Sequence, residues 1–317
     1  MDIDPRRLRI LHEVARRGGV MKAAESLHLT PSAVSQQLAQ LEREVGLALV
    51  DRSQRRVALT PAGRVLAVHA ERIEEQLAEA RQELNRFTER LSGPVTIAAF
   101  HTVIRHLLVP ALSDLAVRHP RITPVIRELL GPGAMRELRL GGVDLVVAER
   151  DTSRPAGSPP SISRHALLDD EYRIVAPPAW ASTVRTVADL AELPWVAGLP
   201  DQACGQALER LAQLHGFTPR RAHVIGEFPP VLALVAAGQG VAIVPSLALL
   251  DVPPGEVEVT RVRGVGARRI EALTRVSRTT SGEPDPVQAV VVEALAEAAA
   301  GAARQVGELS GPGGGES

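Results

Sequence analysis

The chain has 317 residues, of which 45% are hydrophobic and 23% charged, enough for about two or three domains with ordinary cores. It contains no apolar run of about 18 residues, and its N-terminal segment lacks the apolar core of a signal peptide, so neither a membrane protein nor an exported one is indicated. Cys204 is the single cysteine, which excludes an internal disulfide framework and a cysteine-based zinc site. We expect a cytoplasmic protein without a metal ion or other cofactor.

Charge is unevenly distributed along the chain. Residues 1–64 contain eleven Lys or Arg against seven Asp or Glu, a difference of +4, although the whole chain has a net charge of -1. A nonspecific, histone-like coat on DNA is therefore excluded, and contact with phosphate is expected only near the N-terminus.

Three short helices are predicted within the first 46 residues. The first, over residues 4–17, has an apolar face and is stopped by Gly18 and Gly19. The next two occupy residues 20–46 and are joined by a tight turn, where Thr30 is a candidate N-cap and Pro31 stands at the first helical position. This arrangement indicates a helix-turn-helix; the alternative is a three-helix bundle whose last helix is simply solvated.

The second helix of the motif carries short hydroxyl and amide side chains off its apolar stripe, and these can hydrogen-bond base edges and phosphates. A hairpin follows, with apolar pieces at 47–50 and 57–59 and a polar turn at 51–56 that would contact the DNA backbone or minor groove. The first domain is thus predicted over residues 1–60. Its candidate DNA-binding residues are Thr30, Ser32, Ala33, Ser35, Gln36, Gln40, Arg52, Arg55 and Arg56.

A long helix is predicted over residues 61–92, beginning at Thr60 and Pro61 with the same cap signal. Its apolar residues recur at alternating spacings of 4 and 3, as in a coiled coil. We call this set the stripe; it comprises Leu66, Ala70, Ile73, Leu77, Ala80, Leu84, Phe87 and Leu91. The stripe predicts a dimer helix, and the alternative is docking onto the chain's own C-terminal domain.

From residue 93 onward, short apolar strands alternate with helices, which predicts an α/β domain with a largely parallel sheet over residues 93–306. The candidate strands are residues 95–99, 123–127, 144–148, 172–176, 195–198, 222–226, 241–244 and 270–275. The candidate helices are residues 103–117, 134–140, 203–215 and 230–237, with a closing helix over 285–306. A mobile loop at 151–161 suggests two lobes, residues 93–167 with 270–306 and residues 168–269, and a disordered tail is expected over 307–317.

Taken together, the chain resembles the LysR-type transcriptional regulators over essentially its full length. The matching segments are residues 23–27, 31–37, 41–42, 46, 49, 52, 59–63, 142–145 and 235–245. The chain departs from the family pattern at Pro31, where many members carry Gln, and at Val50, where Phe is usual. The first departure leaves more of the base reading to Ser32, Ser35 and Gln36.

The resemblance implies a winged helix-turn-helix, a dimerising linker helix and a two-lobed effector domain like a periplasmic binding protein. It implies double-stranded promoter DNA and a small-molecule inducer as partners, a homodimer that pairs into a tetramer, and RNA polymerase as a candidate further partner. No membrane contact is expected.

The inducer site is predicted where strands end at the crevice between the lobes. Phe100, His101 and Thr102 follow the first strand, and a helix start with a threonine hydroxyl favours a small carboxylate. On the other lobe, the candidates are Asp201 and Gln202 with Glu227 and Phe228. The acids among these favour a ligand with an amino group, such as an amino acid; ordinary capping and core packing are the alternative explanation for each residue.

Two other functions fit less well. A catalytic pair of Cys204 and His215 would lie on one predicted helix, roughly 16 Å apart by helix rise, which is too far for proton transfer. A transport binding protein would share the two lobes, but it would need an export signal and no DNA-binding module. The prediction is therefore a regulator and not an enzyme.

Overall fold

The structure is a computed structural model, and it describes residues 3–51, 58–85, 91–153, 161–276 and 285–310. The chain divides into two compact units. The first comprises residues 1–88 with 136–142, and the second comprises residues 89–135 with 143–317.

The first unit begins with the predicted helices, followed by a two-stranded hairpin and a long helix. These elements are α1 (Pro5–Arg17), α2 (Val20–Ser26), α3 (Pro31–Val45), β1 (Val50–Asp51), β2 (Ala58–Leu59) and α4 (Pro61–Asn85). The caps follow the sequence signals: the Thr30 hydroxyl accepts the Ala33 backbone N–H at 3.2 Å, and Gly46 ends α3 with a φ of +72°. The apolar faces of the three short helices share one buried core, which includes Leu11, Val34, Leu38 and Leu41.

The hairpin is anchored on the start of α4 by a few close contacts. Val50 pairs with Leu59 in antiparallel register, and the Thr60 hydroxyl donates to the Ala48 carbonyl at 2.7 Å. A Cβ on Gly63 would overlap the Leu49 carbonyl, so glycine is required where α4 crosses the hairpin. The tip, with Arg52, Arg55 and Arg56, lies outside the described residues.

The N-terminal end of the stripe does not belong to an exposed seam. Leu66 packs against the winged-helix core and Ala70 is buried in it, because the first turns of α4 lie against α1. Leu66 is half-buried in this contact, so part of its apolar character is accounted for within its own domain, and its role in a dimer seam stays a prediction.

Glu13, a buried acid on α1, lies in a charge cluster with Arg16 and Arg17 of the same helix. Burial by itself would raise the pKa of this carboxyl, but hydrogen bonds from Arg16, Arg17 and Ser26 outweigh it and lower the pKa to about 2. The Arg16 Nη2 and Arg17 Nε atoms lie 2.6 and 2.8 Å from Glu13 Oε1.

A pH-dependent contribution to stability is expected from Glu13. Because its folded pKa is depressed below the ordinary 4.5, the contribution is present above pH 4.5 and is lost as the pH falls toward 2. Glu13→Gln should cost on the order of 2–3 kcal/mol of unfolding free energy at pH 7 and progressively less below pH 4.5, measured by urea unfolding. Glu25→Gln, an exposed acid on α2, is the control; a penalty at pH 7 that persists unchanged at pH 3 would contradict the cluster's role.

The second unit is built on a seven-stranded mixed sheet and a smaller two-stranded one. Its strands are β3 (Gly93–Ala99), β4 (Ile122–Glu128), β5 (Leu145–Asp151), β6 (Ile162–Ala176), β7 (Pro194–Ala197), β8 (Arg220–Val224), β9 (Ala242–Pro245), β10 (Glu258–Val259) and β11 (Ala267–Arg275). The main order is β10-β6-β11-β5-β3-β4, with β9 also on β6. Strand β3 runs parallel to β4 and β5, and β7 runs parallel to β8.

The prediction of a largely parallel sheet is wrong, because β11 runs antiparallel to both β5 and β6. Periodicity reports which residues are buried but carries no information on strand direction. Strand β6 is also much longer than the predicted 172–176. Its first part carries charged residues: Arg164 forms a cross-strand ion pair with Glu271, and Asp169 forms one with Arg269. This part of the strand therefore lacks the alternation of apolar and polar residues that predicts a strand.

Helices cover the sheets and close the unit. The helix after β3 is continuous, with α5 (His101–Val103), a π-helical segment (Ile104–Leu108) and α6 (Val109–Arg118) in sequence. The others are α7 (Gly131–Arg139), whose last residues belong to the first unit, α8 (Pro178–Ala181), α9 (Val187–Ala191), α10 (Ala203–His215), α11 (Phe228–Ala236) and α12 (Pro286–Ser310). Helix α12 extends past the predicted end at 306, so residues 307–310 are helical; residues 311–317 lie outside the description.

Three clusters of buried hydrophobic residues lie in the described part of this unit, and two of them define what we call the first and second lobes. The first core joins β3, β5, β11 and α12, with Ile97, Ile270 and Leu295 fully buried. The second joins the end of β6 to β7, β9 and α10, around the fully buried Trp195. Among the described residues, one segment (Pro286–Glu308) is long and apolar enough by composition to cross a membrane, but Leu295 and its neighbours pack into the first core as in a core helix.

Candidate nucleic-acid interface and ligand cleft

Helix α3 has a buried apolar face and an exposed polar face. Val34, Leu38 and Leu41 are buried, whereas Ser35 and Gln36 are exposed. This arrangement leaves two hydrogen-bonding side chains free to meet a groove, as predicted from the sequence.

The remaining polar side chains of α3 are partly engaged within the chain. Ser32 is exposed, but its hydroxyl lies 3.0 Å from that of the capping residue Thr30. Gln40 is half-buried and donates to Glu44 Oε1 at 3.2 Å, and Glu44 is paired in turn with Arg7. Ala33 is also half-buried. The exposed, unengaged face is therefore narrower than the sequence predicted and centres on Ser35 and Gln36.

Beyond Ala70, three large side chains of the stripe are exposed on α4. Ile73, Leu77 and Leu84 are 37%, 43% and 67% exposed in the single chain, which is unusual for large apolar side chains on one helix. Phe87 lies outside the described residues, and Leu91 is half-buried.

A cleft in the second unit is lined by residues of both lobes. Its empty space, including the mouth that opens to solvent, is ≈ 640 Å³. Five predicted site residues line it, namely Phe100, His101, Gln202, Glu227 and Phe228. All five lie at strand ends or helix starts, and their role in binding an inducer stays a prediction.

Two predicted site residues lie elsewhere. Thr102 is buried and lines a neighbouring cavity with Arg105 and His106, because one residue along the helix rotates the side chain away from the cleft. Asp201 is exposed and does not line the cleft; its backbone carbonyl accepts the Gln206 side-chain amide at 3.2 Å. The tilted rings of His101 and Phe228, with centroids 5.5 Å apart, border both spaces.

The floor of the cleft contains a buried guanidinium that sequence reasoning missed. Arg268 on β11 donates from Nε and Nη2 to Asp170 Oδ2 at 3.0 and 2.9 Å, and from Nη1 to Glu149 Oε2 at 2.6 Å. Its carbon Cζ lies 5.1 Å from the centroid of the Phe100 ring and 6.0 Å from that of Phe228. Burial alone would lower the pKa of Arg268, but the charges of Asp170 and Glu149 outweigh it and raise the pKa, so the guanidinium stays charged.

The apolar wall near the second lobe is set by tight backbone packing at the start of α10. A Cβ on Gly205 would overlap the Leu199 carbonyl, so only glycine lets the helix approach the end of β7. This approach brings Gln202 and Cys204 to the cleft.

Cys204 has the character of a packing residue. Its burial raises the pKa of the thiol to about 12, with the Arg268 charge opposing the shift, so the reactive thiolate is not populated at neutral pH. His215 sits at the far end of the same helix, α10. Among the described residues, no group of three or more His, Cys, Asp or Glu is placed to hold a metal ion.

Comparison with known protein families gives two matches. Residues 5–64 match the family described as bacterial regulatory helix-turn-helix protein, lysR family, and residues 88–300 match the LysR substrate binding domain. The transcriptional regulator ShiR of Corynebacterium glutamicum is 31% identical over 267 residues, which cover 76% of this chain and 85% of that protein. The nitrogen assimilation regulatory protein nac of Escherichia coli is 31% identical over 252 residues, covering 77% and 78%.

Solved structures share the fold at lower identity. A full-length OxyR variant from Pseudomonas aeruginosa superposes with a TM-score of 0.63 at 21% identity, covering 94% of this chain and 95% of that one. ArgP from Mycobacterium tuberculosis gives 0.60 at 23% identity, covering 95% and 98%. CbnR complexed with its target DNA gives 0.59 at 21% identity, covering 93% and 100%.

Proposed function

Because the chain belongs to the LysR family of bacterial transcriptional regulators, we propose that it reads promoter DNA with α3 and changes its regulatory output when a small molecule occupies the cleft. The protein is a DNA-binding regulator with an effector-binding domain. It acts in the cytoplasm, where its DNA is, and by binding rather than by catalysis. The buried Cys204 thiol, with its pKa raised to about 12, supports the absence of a cysteine nucleophile.

The observation that carries this proposal is the exposed polar face of α3 opposite its buried apolar stripe. Ser35 and Gln36 would contact base edges or nearby phosphates, because their side chains are exposed on that face. Thr30 and Arg52 would hold the DNA backbone, and Ser32 would serve mainly the cap, since its hydroxyl lies against that of Thr30.

Base reading and backbone holding are expected to separate experimentally. Gln36→Ala should cost ~1–3 kcal/mol on the specific operator and relax preference at one position, because a base contact discriminates sequence. Arg52→Ala should weaken specific and random DNA alike and reduce the salt slope by about one. Fluorescence anisotropy at several salt concentrations, on an operator first found by genome-wide footprinting, measures both.

Gln213→Ala, an exposed glutamine on α10 in the second unit, is the matched control and should bind DNA as the wild type does. If Gln36→Ala loses the same affinity for operator and for random DNA, Gln36 contacts only phosphate. The same operator also tests the regulatory role. A reporter gene placed under its control should change its expression when the gene that encodes this protein is deleted.

We assign the effector site to the cleft and the dimer interface to the exposed part of the stripe. The cleft is lined by residues of both lobes, so a ligand held there would contact both lobes at once. The exposed Ile73, Leu77 and Leu84 support a homodimer through α4. Pairing of dimers into a tetramer through the effector domains, and contact with RNA polymerase, rest on family membership.

A further inference from the structure

We propose that the cleft binds a small organic cation, an ammonium or guanidinium compound with a short apolar body. This inference rests on the proposed role of the cleft as the effector site and names the charge of its ligand. A carboxylate, which the helix start after β3 favours on sequence grounds alone, is the opposite outcome.

The first reason is the balance of charge around the cleft. Among the described residues that line it, Arg268 is the only Lys or Arg, and Glu149 and Glu227 line it as well. Asp170 adds a third carboxylate directly behind Arg268. The cleft and its immediate surroundings therefore contain one guanidinium and three carboxylates, and a positive ligand would reduce the excess of negative charge in a partly desolvated space.

The second reason is that Arg268 is already engaged and cannot readily serve an anion. Its side chain is 2% exposed and donates three hydrogen bonds to Asp170 and Glu149. The rings of Phe100 and Phe228 lie against the same guanidinium. An incoming carboxylate would compete with Glu149 for this guanidinium, and displacing Glu149 would leave that acid without its partner.

The third reason is the availability of Glu227. Its side chain is 64% exposed, and His101 Nδ1 lies 3.5 Å from its Oε2 atom, beyond a strong hydrogen bond. Its oxygens can therefore accept from an ammonium or guanidinium group. The Thr102 hydroxyl, which would have helped a carboxylate, lines the neighbouring cavity instead.

The apolar surface of the cleft suits the body of such a ligand. Phe100 and Phe228 present aromatic rings, and Leu130, Val196 and Val231 add aliphatic surface. Ring faces attract cations within about 6 Å, so the rings and Glu227 act in the same direction. The half-buried Gln202 offers one more acceptor oxygen at the edge.

Four probes of similar size test the charge directly: n-butylammonium, n-butylguanidinium, butyrate and 1-butanol. Isothermal titration of the full chain at constant ionic strength measures each one. We expect both cations to bind at least about tenfold more tightly than butyrate or butanol. In Glu227→Gln this preference should fall by about tenfold, whereas Glu192→Gln, which removes an acid of the second lobe outside the cleft, should leave it unchanged.

The proposal is overturned if neither cation binds more tightly than butanol, or if butyrate binds most tightly. Phe228→Ala separates this failure from failure of the proposed function. Butyrate binding that is lost in Phe228→Ala would keep the cleft as an effector site of opposite charge. If Phe228→Ala changes the affinity of none of the probes, the cleft is not the effector site. Operator binding, measured in parallel, tests the DNA-binding role independently.

Discussion

Arg268→Met is expected to lower the unfolding free energy of the protein by about 3–5 kcal/mol. The substitution keeps an apolar stem of similar length but leaves the buried Asp170 without its cationic partner; only the Leu247 backbone N–H, at 3.0 Å from Oδ1, still donates to it among the described residues. Glu149 suffers less, because its side chain is 31% exposed and can turn toward water. Urea unfolding at pH 7 measures the loss.

The double variant Arg268→Met/Asp170→Asn distinguishes an unpaired charge from poor packing. Asparagine keeps an acceptor for the Leu247 N–H without a charge, so most of the lost stability should return. Burial raises the pKa of Asp170, and Arg268 opposes that shift, so removal of Arg268 raises the pKa further. The penalty of the single variant should therefore shrink as the pH falls from 8 to 5; a penalty that the second substitution does not relieve would point to packing alone.

The elements that could be predicted from sequence are those defined by local signals. Helix α10 was predicted at 203–215 and is found as Ala203–His215, and α3 begins at the Thr30 and Pro31 cap as expected. These signals act within one turn of the chain. Strand direction is different, because the antiparallel placement of β11 between β5 and β6 depends on contacts between residues about a hundred or more positions apart in sequence.

The candidate site was only partly predictable, for a similar reason. Phe100, Glu227 and Phe228 follow a general rule about strand ends and helix starts. Arg268 lies within a strand beside Arg269, and the two arginines look alike in sequence. Their side chains are 2% and 39% exposed, because neighbours on a strand face opposite sides, and only the fold decides which side is buried.

Dissociation of the dimer is the expected result of replacing Ile73, Leu77 and Leu84 together by alanine. Each substitution removes apolar contacts worth up to ~2–5 kcal/mol in a fully buried core. The loss is smaller in a two-helix seam, which is partly exposed to water. Alanine is a strong helix former, so α4 itself should persist. Leu66 is left intact because it packs against the winged-helix core. Sedimentation velocity across micromolar concentrations should show monomer for the variant and dimer for the wild type.

Val65→Ala/Val68→Ala is the matched control, since both valines are exposed on the same helix but lie outside the stripe. That variant should sediment as the wild type does. Because an operator with two half-sites binds a dimer far more tightly than a monomer, the stripe variant should also lose specific DNA affinity while α3 stays folded. A stripe variant that remains fully dimeric at micromolar concentration would place the interface elsewhere, and the exposure of these three side chains would then need another partner.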